Sequence, residues 1–218
     1  MQLDRDGAQL FPGAFTRSQV AALVDRFSMP ADRPGVRLGP TSGLAALLAP
    51  ADAIARDRLG PGARAVGAKL FDKSRERNWA LGWHQDRTVA VRERCDVAGF
   101  GQWTHKAGIA HCVPPFEILE RSLTLRIHLD PVGGDNAPLL VAPGSHRLGA
   151  IAKPDIAAVV DRCGVRACLA RPGDVWIYST PILHASSRAG RPLRRRVLQL
   201  VYSAEELAHG LEWLGVSC

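Results

Sequence analysis

Pro172-Gly173-Asp174-Val175-Trp176-Ile177-Tyr178 reads as a turn running into a strand: Pro and Gly punctuate, and the run behind them is β-branched and aromatic. His184 lies just beyond that strand, where barrel strands present side chains at a rim. Ten residues separate it from Arg195, which opens a further strand, Arg194 to Tyr202, carrying Val197, Gln199 and Val201. Similar short apolar runs bounded by turn residues occur near Arg64 to Phe71, Gly82 to Val91, Ser122 to Asp130, Pro138 to Ala142 and Ala167 to Leu169. Two helices precede them. The first follows a short strand at Gln9 to Phe11 and starts at Thr16-Arg17-Ser18-Gln19, which has the form of a capping box. Val20, Leu23, Val24 and Phe27 then share a face, and Pro30 and Pro34 end the helix. The second runs from about Gly43 to Arg58, and Pro50 is expected to split it. Residues 30 to 42 carry too much Pro and Gly for a regular element. Residues 92 to 121 read as a long excursion of the kind that forms lids, and Ile151 to Arg162 as a helical insert. The expected architecture is mainly β with flanking helices, either a barrel or a sandwich.

With 218 residues, 46% of them apolar, the chain can bury one sizeable core. A single domain over 1–218 is expected, with 1–60 as helical support, 61–203 as the β-barrel core and 92–121 as its lid. The N-terminus lacks an apolar segment of the secretory kind, and no run approaches the roughly 18 apolar residues of a membrane helix. A soluble, cytoplasmic protein is expected. Cys95, Cys112, Cys163, Cys168 and Cys218 form an odd set without a C-x-x-C pair, which suits reduced thiols rather than a disulfide framework or structural zinc. The formal charge of +7 would suit a nucleic-acid binder if it were clustered. It is scattered, except at Arg188, Arg191, Arg194, Arg195 and Arg196, so a small and anionic substrate is the better expectation.

Trp83-His84-Gln85-Asp86 carries the first sign of chemistry. On a strand, period-two alternation puts the His84 imidazole and the Asp86 carboxylate on one face. A third ligand from a distant strand would complete a 2-His-1-carboxylate set, which leaves coordination positions open for oxygen chemistry on Fe(II). His-x-Asp alone is common, and a surface His beside an ion-paired Asp is the plain alternative. The third ligand has to come from His105, His111, His128, His146, His184 or His209. His184 stands apart through the strand before it and Arg195 after it, whose guanidinium can fork onto a carboxylate and stays charged when buried.

These residues resemble those of the phytanoyl-CoA dioxygenase family, from the Asp6-Gly7 strand and capped helix to Tyr202. His84-Gln85-Asp86 is similar to the family's metal motif, and the His184 to Arg195 spacing to its distal histidine and arginine. Asp135-Asn136-Ala137-Pro138-Leu139 and Pro143-Gly144-Ser145-His146-Arg147 resemble two further family segments, with Ala137 standing where a glycine is usual. The resemblance implies a double-stranded β-helix, the jelly-roll or cupin-like barrel. It implies Fe(II) held by His84, Asp86 and His184, and 2-oxoglutarate and O2 as co-substrates, with Arg195 clamping the distal carboxylate. Ser186 and Lys73 match secondary co-substrate contacts; read alone, they are a turn hydroxyl and a solvated strand-end charge. The implied outcome is hydroxylation of a small organic molecule, with release of succinate and CO2. Asp86 argues against halogenation, because halogenating members lack the carboxylate ligand. The rival readings are an oxygenase acting on nucleic acid or protein, and a non-catalytic metal-binding cupin-like barrel.

Thr124, Arg126 and His128 alternate with Leu123, Leu125, Ile127 and Leu129. If the leucine face packs on the helices, the polar face points into the barrel. Arg126 then lies near a substrate or co-substrate carboxylate, or in a structural ion pair. Trp103, Lys106 and His111 are substrate candidates from the excursion. His146 is expected to make a structural loop hydrogen bond, His209 to sit exposed on a helix, and Arg194 and Arg196 to be solvated strand charges.

Overall fold

The structure is a computed structural model and describes residues 1–27, 35–40, 44–208 and 210–216. In chain order the elements are α1 (Leu3–Asp6), β1 (Ala8–Phe11), α2 (Arg17–Arg26), β2 (Gly35–Leu38), α3 (Ala45–Leu59), β3 (Arg64–Lys73), β4 (Leu81–His84), β5 (Val89–Val91), β6 (Gly101–Lys106), β7 (Ile109–Val113), α4 (Phe116–Glu120), β8 (Ser122–His128), β9 (Leu139–Val141), α5 (Ile156–Cys163), β10 (Arg166–Cys168), β11 (Val175–Ser179), β12 (His184–Ser186) and β13 (Arg195–Ser203). A six-stranded sheet has the order β1-β11-β8-β13-β3-β2, and a four-stranded sheet the order β10-β9-β12-β4. All pairings are antiparallel, and β5-β7-β6 form a third, smaller sheet. The two larger sheets make the jelly roll.

Alternation along β8 decides which face of the large sheet is which. Leu123, Leu125 and Ile127 pack with Leu198 and Leu200 of β13, Leu70 of β3, Leu23 of α2 and Leu48 of α3. Each buried Leu or Ile contributes about 1.5–3 kcal/mol relative to an exposed one, so this face fixes the helices against the sheet. Thr124, Arg126 and His128 are left facing the barrel interior, all of them buried. The capping box forms as expected: the Gln19 amide donates to Thr16 Oγ1 and the Thr16 amide to Gln19 Oε1, at 3.3 and 2.8 Å. Gly173 is needed in the turn before β11, because its φ is +90° and a Cβ there would lie 2.3 Å from the Phe15 carbonyl oxygen.

Several sequence expectations give way. Residues 30 to 42 hold a strand, β2, whose Gly35–Leu38 backbone pairs with β3. Helix α3 runs through Pro50 without splitting. Proline there removes the bond to the Ala46 carbonyl, and Ala46 is exposed, so water can satisfy the carbonyl instead. The expected strand from Gly82 to Val91 is two strands in different sheets, β4 and β5, with Asp86 in the connection between them. Residues 92 to 121 are largely ordered as β6, β7 and α4. Their apolar residues Val97, Cys112 and Leu119 pack with Val89 and Val91 of β5 and with Leu211 and Trp213, a satellite core that a structureless loop could not build. The first sixty residues are more than helical support, since β1 and β2 form the two edges of the large sheet. Pro30, Pro34, His209 and Cys218 lie outside the described residues; Cys95, Cys112, Cys163 and Cys168 are free thiols. No helix among the described residues is long and apolar enough to cross a membrane.

Candidate metal centre and anion pocket

His84 and His184 are register partners across β4 and β12, and their rings stand 4.2 Å apart between centroids. Each holds Nδ1 against the carbonyl oxygen two residues earlier, Gly82 at 2.8 Å and Ile182 at 3.0 Å. That contact selects the tautomer with Nδ1 protonated, leaving the Nε2 lone pair free. Both Nε2 atoms face Asp86, 3.9 Å from Oδ1 and 3.8 Å from Oδ2. The three ligand atoms lie within 4.8 Å of one another. Burial pushes the His184 imidazole down to about 4, so it is neutral at physiological pH, as a ligand must be. Two imidazoles and one carboxylate, with a cavity on the Asp86 side, fit Fe(II) and its need for open positions.

Asp86 is not on a strand, so simple alternation does not bring it beside His84. The intervening Gln85 does. Its buried amide donates to the Gly149 and Pro181 carbonyls at 2.9 and 2.7 Å, and Oε1 accepts from the Ile151 amide at 2.9 Å and from Arg87 at 3.0 Å. Pinning Gln85 away from the centre turns both its neighbours toward it. Nothing in the sequence marks Gln85 beyond its place in the motif. Gln85→Leu strands one amide and two carbonyls, and is expected to lower stability by about 2–4 kcal/mol. Metal affinity should fall about 10–100-fold; urea unfolding and competition with a chelator measure the two effects.

The large sheet supplies cations. Arg195 is 2% exposed, and its Nε and Nη1 have no hydrogen-bond partner among the described residues. Burial, then the neighbouring Arg126, lowers its guanidinium to about 9. Arg126 is 6% exposed, with Nε unpartnered and its guanidinium 5.1 Å from the centre of the Phe71 ring. A structural ion pair for Arg126 is not formed among the described residues. His128 is buried with both ring nitrogens unpartnered, and burial followed by Arg126 and Arg195 pushes it down to about 3. Uncompensated buried cations of this kind call for an anion.

Lys73 is register partner to Arg195 and is 3% exposed, so it is not a solvated strand-end charge. Its ammonium donates to Trp79 O at 2.6 Å, Ser186 Oγ at 3.1 Å and Ser187 O at 3.1 Å. All three donors are used, so Lys73 ties β12 of one sheet to β3 of the other and has none left for a co-substrate. Ser186 Oγ accepts from Lys73 and donates to the Ala137 carbonyl at 3.2 Å. Ala137 has φ +51°, which explains why glycine is usual there. Ala137→Gly relieves about 1–2 kcal/mol of left-handed strain but loses a buried methyl and adds unfolded-state freedom. These terms nearly cancel, so a change in unfolding free energy below about 1 kcal/mol is expected by urea titration.

The remaining candidates divide. Lys106 and His111 line a cavity of about 150 Å³ that Asp86 borders. Trp103 does not line it. Its ring packs with the satellite core, with Arg94 5.7 Å from its centre. Arg196 is not a solvated charge: its guanidinium makes two bonds to Asp130, at 2.8 and 2.7 Å. Arg194 pairs with the buried Asp72 at 3.2 Å. Of the arginine cluster, Arg194 and Arg196 are therefore paired within the fold and Arg195 is buried, while Arg188 and Arg191 are exposed. His146 stacks against Gly7, where a Cβ would come within 2.3 Å of its Nδ1, and that atom makes no hydrogen bond among the described residues. His146 hydrogen-bonds the Asp4 backbone, the structural contact expected of it; beside it the Ser145 hydroxyl donates to the Ala142 carbonyl and accepts from the Leu183 amide, next to His184.

A sequence profile described as phytanoyl-CoA dioxygenase (PhyH) matches residues 64–196, more than half of the chain and the whole of this site. The chain belongs to the phytanoyl-CoA dioxygenase family. It is an oxidoreductase of the dioxygenase type. Among solved structures, apo EctD from S. alaskensis superposes with a TM-score of 0.69 at 22% identity, over 99% of this chain and 79% of that one. HygX from Streptomyces hygroscopicus, with nickel, 2-oxoglutarate and hygromycin B bound, gives 0.61 at 17% identity, over 92% and 84%. The epimerase SnoN, in complex with Fe3+, alpha ketoglutarate and nogalamycin RO, gives 0.63 at 16% identity, over 99% and 92%. At these identities the likeness establishes a shared fold for this family member. No curated protein sequence matches the chain.

Proposed function

We propose that this dioxygenase uses Fe(II) and 2-oxoglutarate to hydroxylate a small organic molecule, with His84, Asp86 and His184 holding the metal and Arg195 holding the co-substrate's distal carboxylate. The observation that carries the reading is the pairing of a convergent two-histidine, one-carboxylate set with a buried arginine lacking any counter-charge among the described residues. A metal triad alone would suit a sensor or a binding protein, and a buried arginine alone would suit any anion. Together they match an oxygenase whose co-substrate reaches from a metal to a cationic pocket. EctD, HygX and SnoN have been crystallised with 2-oxoglutarate or alpha ketoglutarate, which supports extending that co-substrate to this chain.

When bound, the metal and 2-oxoglutarate supply the oxidising power, reducing dioxygen while 2-oxoglutarate loses CO2 and becomes succinate. The protein's own contributions are positional. Gln85 and the Nδ1 bonds of both histidines fix the ligand atoms, and Lys73 with Ser186 clamps the two sheets at the site's edge. Arg195, charged and dry, orients an anion, with Arg126 and His128 beside it. Burial of His184, Arg195, Arg126 and Lys73 restricts water around them, which strengthens their contacts. Anaerobic titration of 2-oxoglutarate into the Fe(II)-loaded protein tests the reading. A visible charge-transfer absorption that saturates near one equivalent is expected; iron that binds without any such band counts against it.

A further inference from the structure

We propose that the cavity bordering Asp86 binds a substrate with an anionic group, a carboxylate, sulfonate or phosphate, through Arg37, Lys69 and Lys106. The inference rests on the oxygenase reading for where the reacting centre lies. Arg37, Lys69 and Lys106 come from β2, β3 and β6 and converge on one cavity of about 150 Å³. Asp86 is the one carboxylate among its described lining residues, and it is already assigned to the metal. The three cations therefore have no counter-charge of their own inside the cavity.

The arrangement is costly without a ligand. Arg37 and Lys69 are direct register partners across β2 and β3, and like charges placed opposite one another destabilise a sheet. Burial, followed by Arg37, holds the Lys69 ammonium down to about 8. Lys69 Nζ lies 4.4 Å from the centre of the Phe71 ring, a weak substitute for an anion. Lys106 is lowered by burial and then by Arg37, and it donates one bond, to Thr88 Oγ1 at 2.9 Å, leaving two donors for a ligand. An anion among the three would relieve the repulsion and meet those donors together. The rest of the lining includes Val66, Val89, Leu119 and Trp213, which suits an apolar body behind the charged head. The volume lies below the roughly 300 Å³ at which drug-sized sites begin, so the portion of a ligand that it encloses is small.

The test uses the full chain loaded with Ni(II) and saturated with 2-oxoglutarate, so that the Arg195 pocket is filled and turnover is blocked. Benzoate, its neutral isostere benzamide, and inorganic phosphate are titrated calorimetrically at fixed ionic strength. Benzoate or phosphate is expected to bind, with benzamide at least tenfold weaker than benzoate. Lys69→Met and Lys106→Met are each expected to weaken the anion at least tenfold. Lys69→Met should also melt at a higher temperature without ligand, because it removes the repulsion from Arg37, so failure to fold is not the expected reason for lost binding. Failure of both anions to bind, equal binding of benzoate and benzamide, or anion affinity retained in both variants overturns the proposal. If 2-oxoglutarate itself does not bind, the oxygenase reading fails, and the same titrations without it still decide the cavity.

Discussion

Arg195→Met is expected to make the ligand-free protein more stable while removing its affinity for 2-oxoglutarate. Arg195 is the largest side chain in the fully buried set, and two of its nitrogens lack partners among the described residues. Replacing an uncompensated buried cation by an apolar chain of similar length typically gains about 1–4 kcal/mol, which urea unfolding would read. The same change removes a charge-assisted clamp worth about 2–5 kcal/mol, a loss of roughly 30-fold to several thousand-fold in 2-oxoglutarate affinity. Opposite signs in the two measurements distinguish a binding residue from a structural one. If 2-oxoglutarate binds unchanged, Arg195 does not belong to the site.

The second large effect lies at the metal. His84→Ala, Asp86→Ala and His184→Ala each remove one of the three proposed donors, and each is expected to lower iron affinity by more than the 10–100-fold typical of losing an outer partner. His184→Ala should be the most damaging to the fold as well, since His184 is 4% exposed and packs 5.6 Å from the Tyr178 ring. Asp86 is more accessible, so Asp86→Ala should fold normally and fail only in metal binding, as equilibrium dialysis would show. Full iron occupancy in Asp86→Ala would remove it from the ligand set.

The strands of the barrel are legible in the sequence where apolar alternation is strong. In β8, Leu123, Leu125 and Ile127 point one way and Arg126 and His128 the other, as the pattern requires. Local chemistry misleads where a long-range contact overrides it. β2 is hidden because Gly35–Leu38 pairs with β3 despite its Gly and Pro surroundings. Pro50 reads as a helix breaker, but an exposed carbonyl tolerates it. The segment from 92 to 121 reads as a loop because its glycines mask a hairpin, Gly101–Lys106 with Ile109–Val113.

The site shows the same division. The proposed ligands His84, Asp86 and His184 and the proposed anion clamp Arg195 stand out because their spacing and residue types carry chemistry directly, and the structure brings the three ligands within 4.8 Å of one another. Gln85, Lys69 and Arg37 do not stand out, since their roles depend on partners distant in sequence: Gly149 and Pro181 for Gln85, and the β2–β3 register for the two cations. Lys73 stands out by its motif position, but its donors are committed to Trp79, Ser186 and Ser187. A residue type at a motif position suggests a contact; only the tertiary hydrogen bonds reveal whether a donor remains for it.

The most direct test of the central claim is succinate formation by the protein reconstituted with Fe(II), ascorbate and 2-oxoglutarate in air, which needs no knowledge of the substrate. Slow, uncoupled succinate production that disappears in Asp86→Ala and in Arg195→Met is the expected result. A protein that retains zinc rather than iron and forms no succinate under any of these conditions would contradict it, and would favour a metal-binding barrel without oxygenase activity.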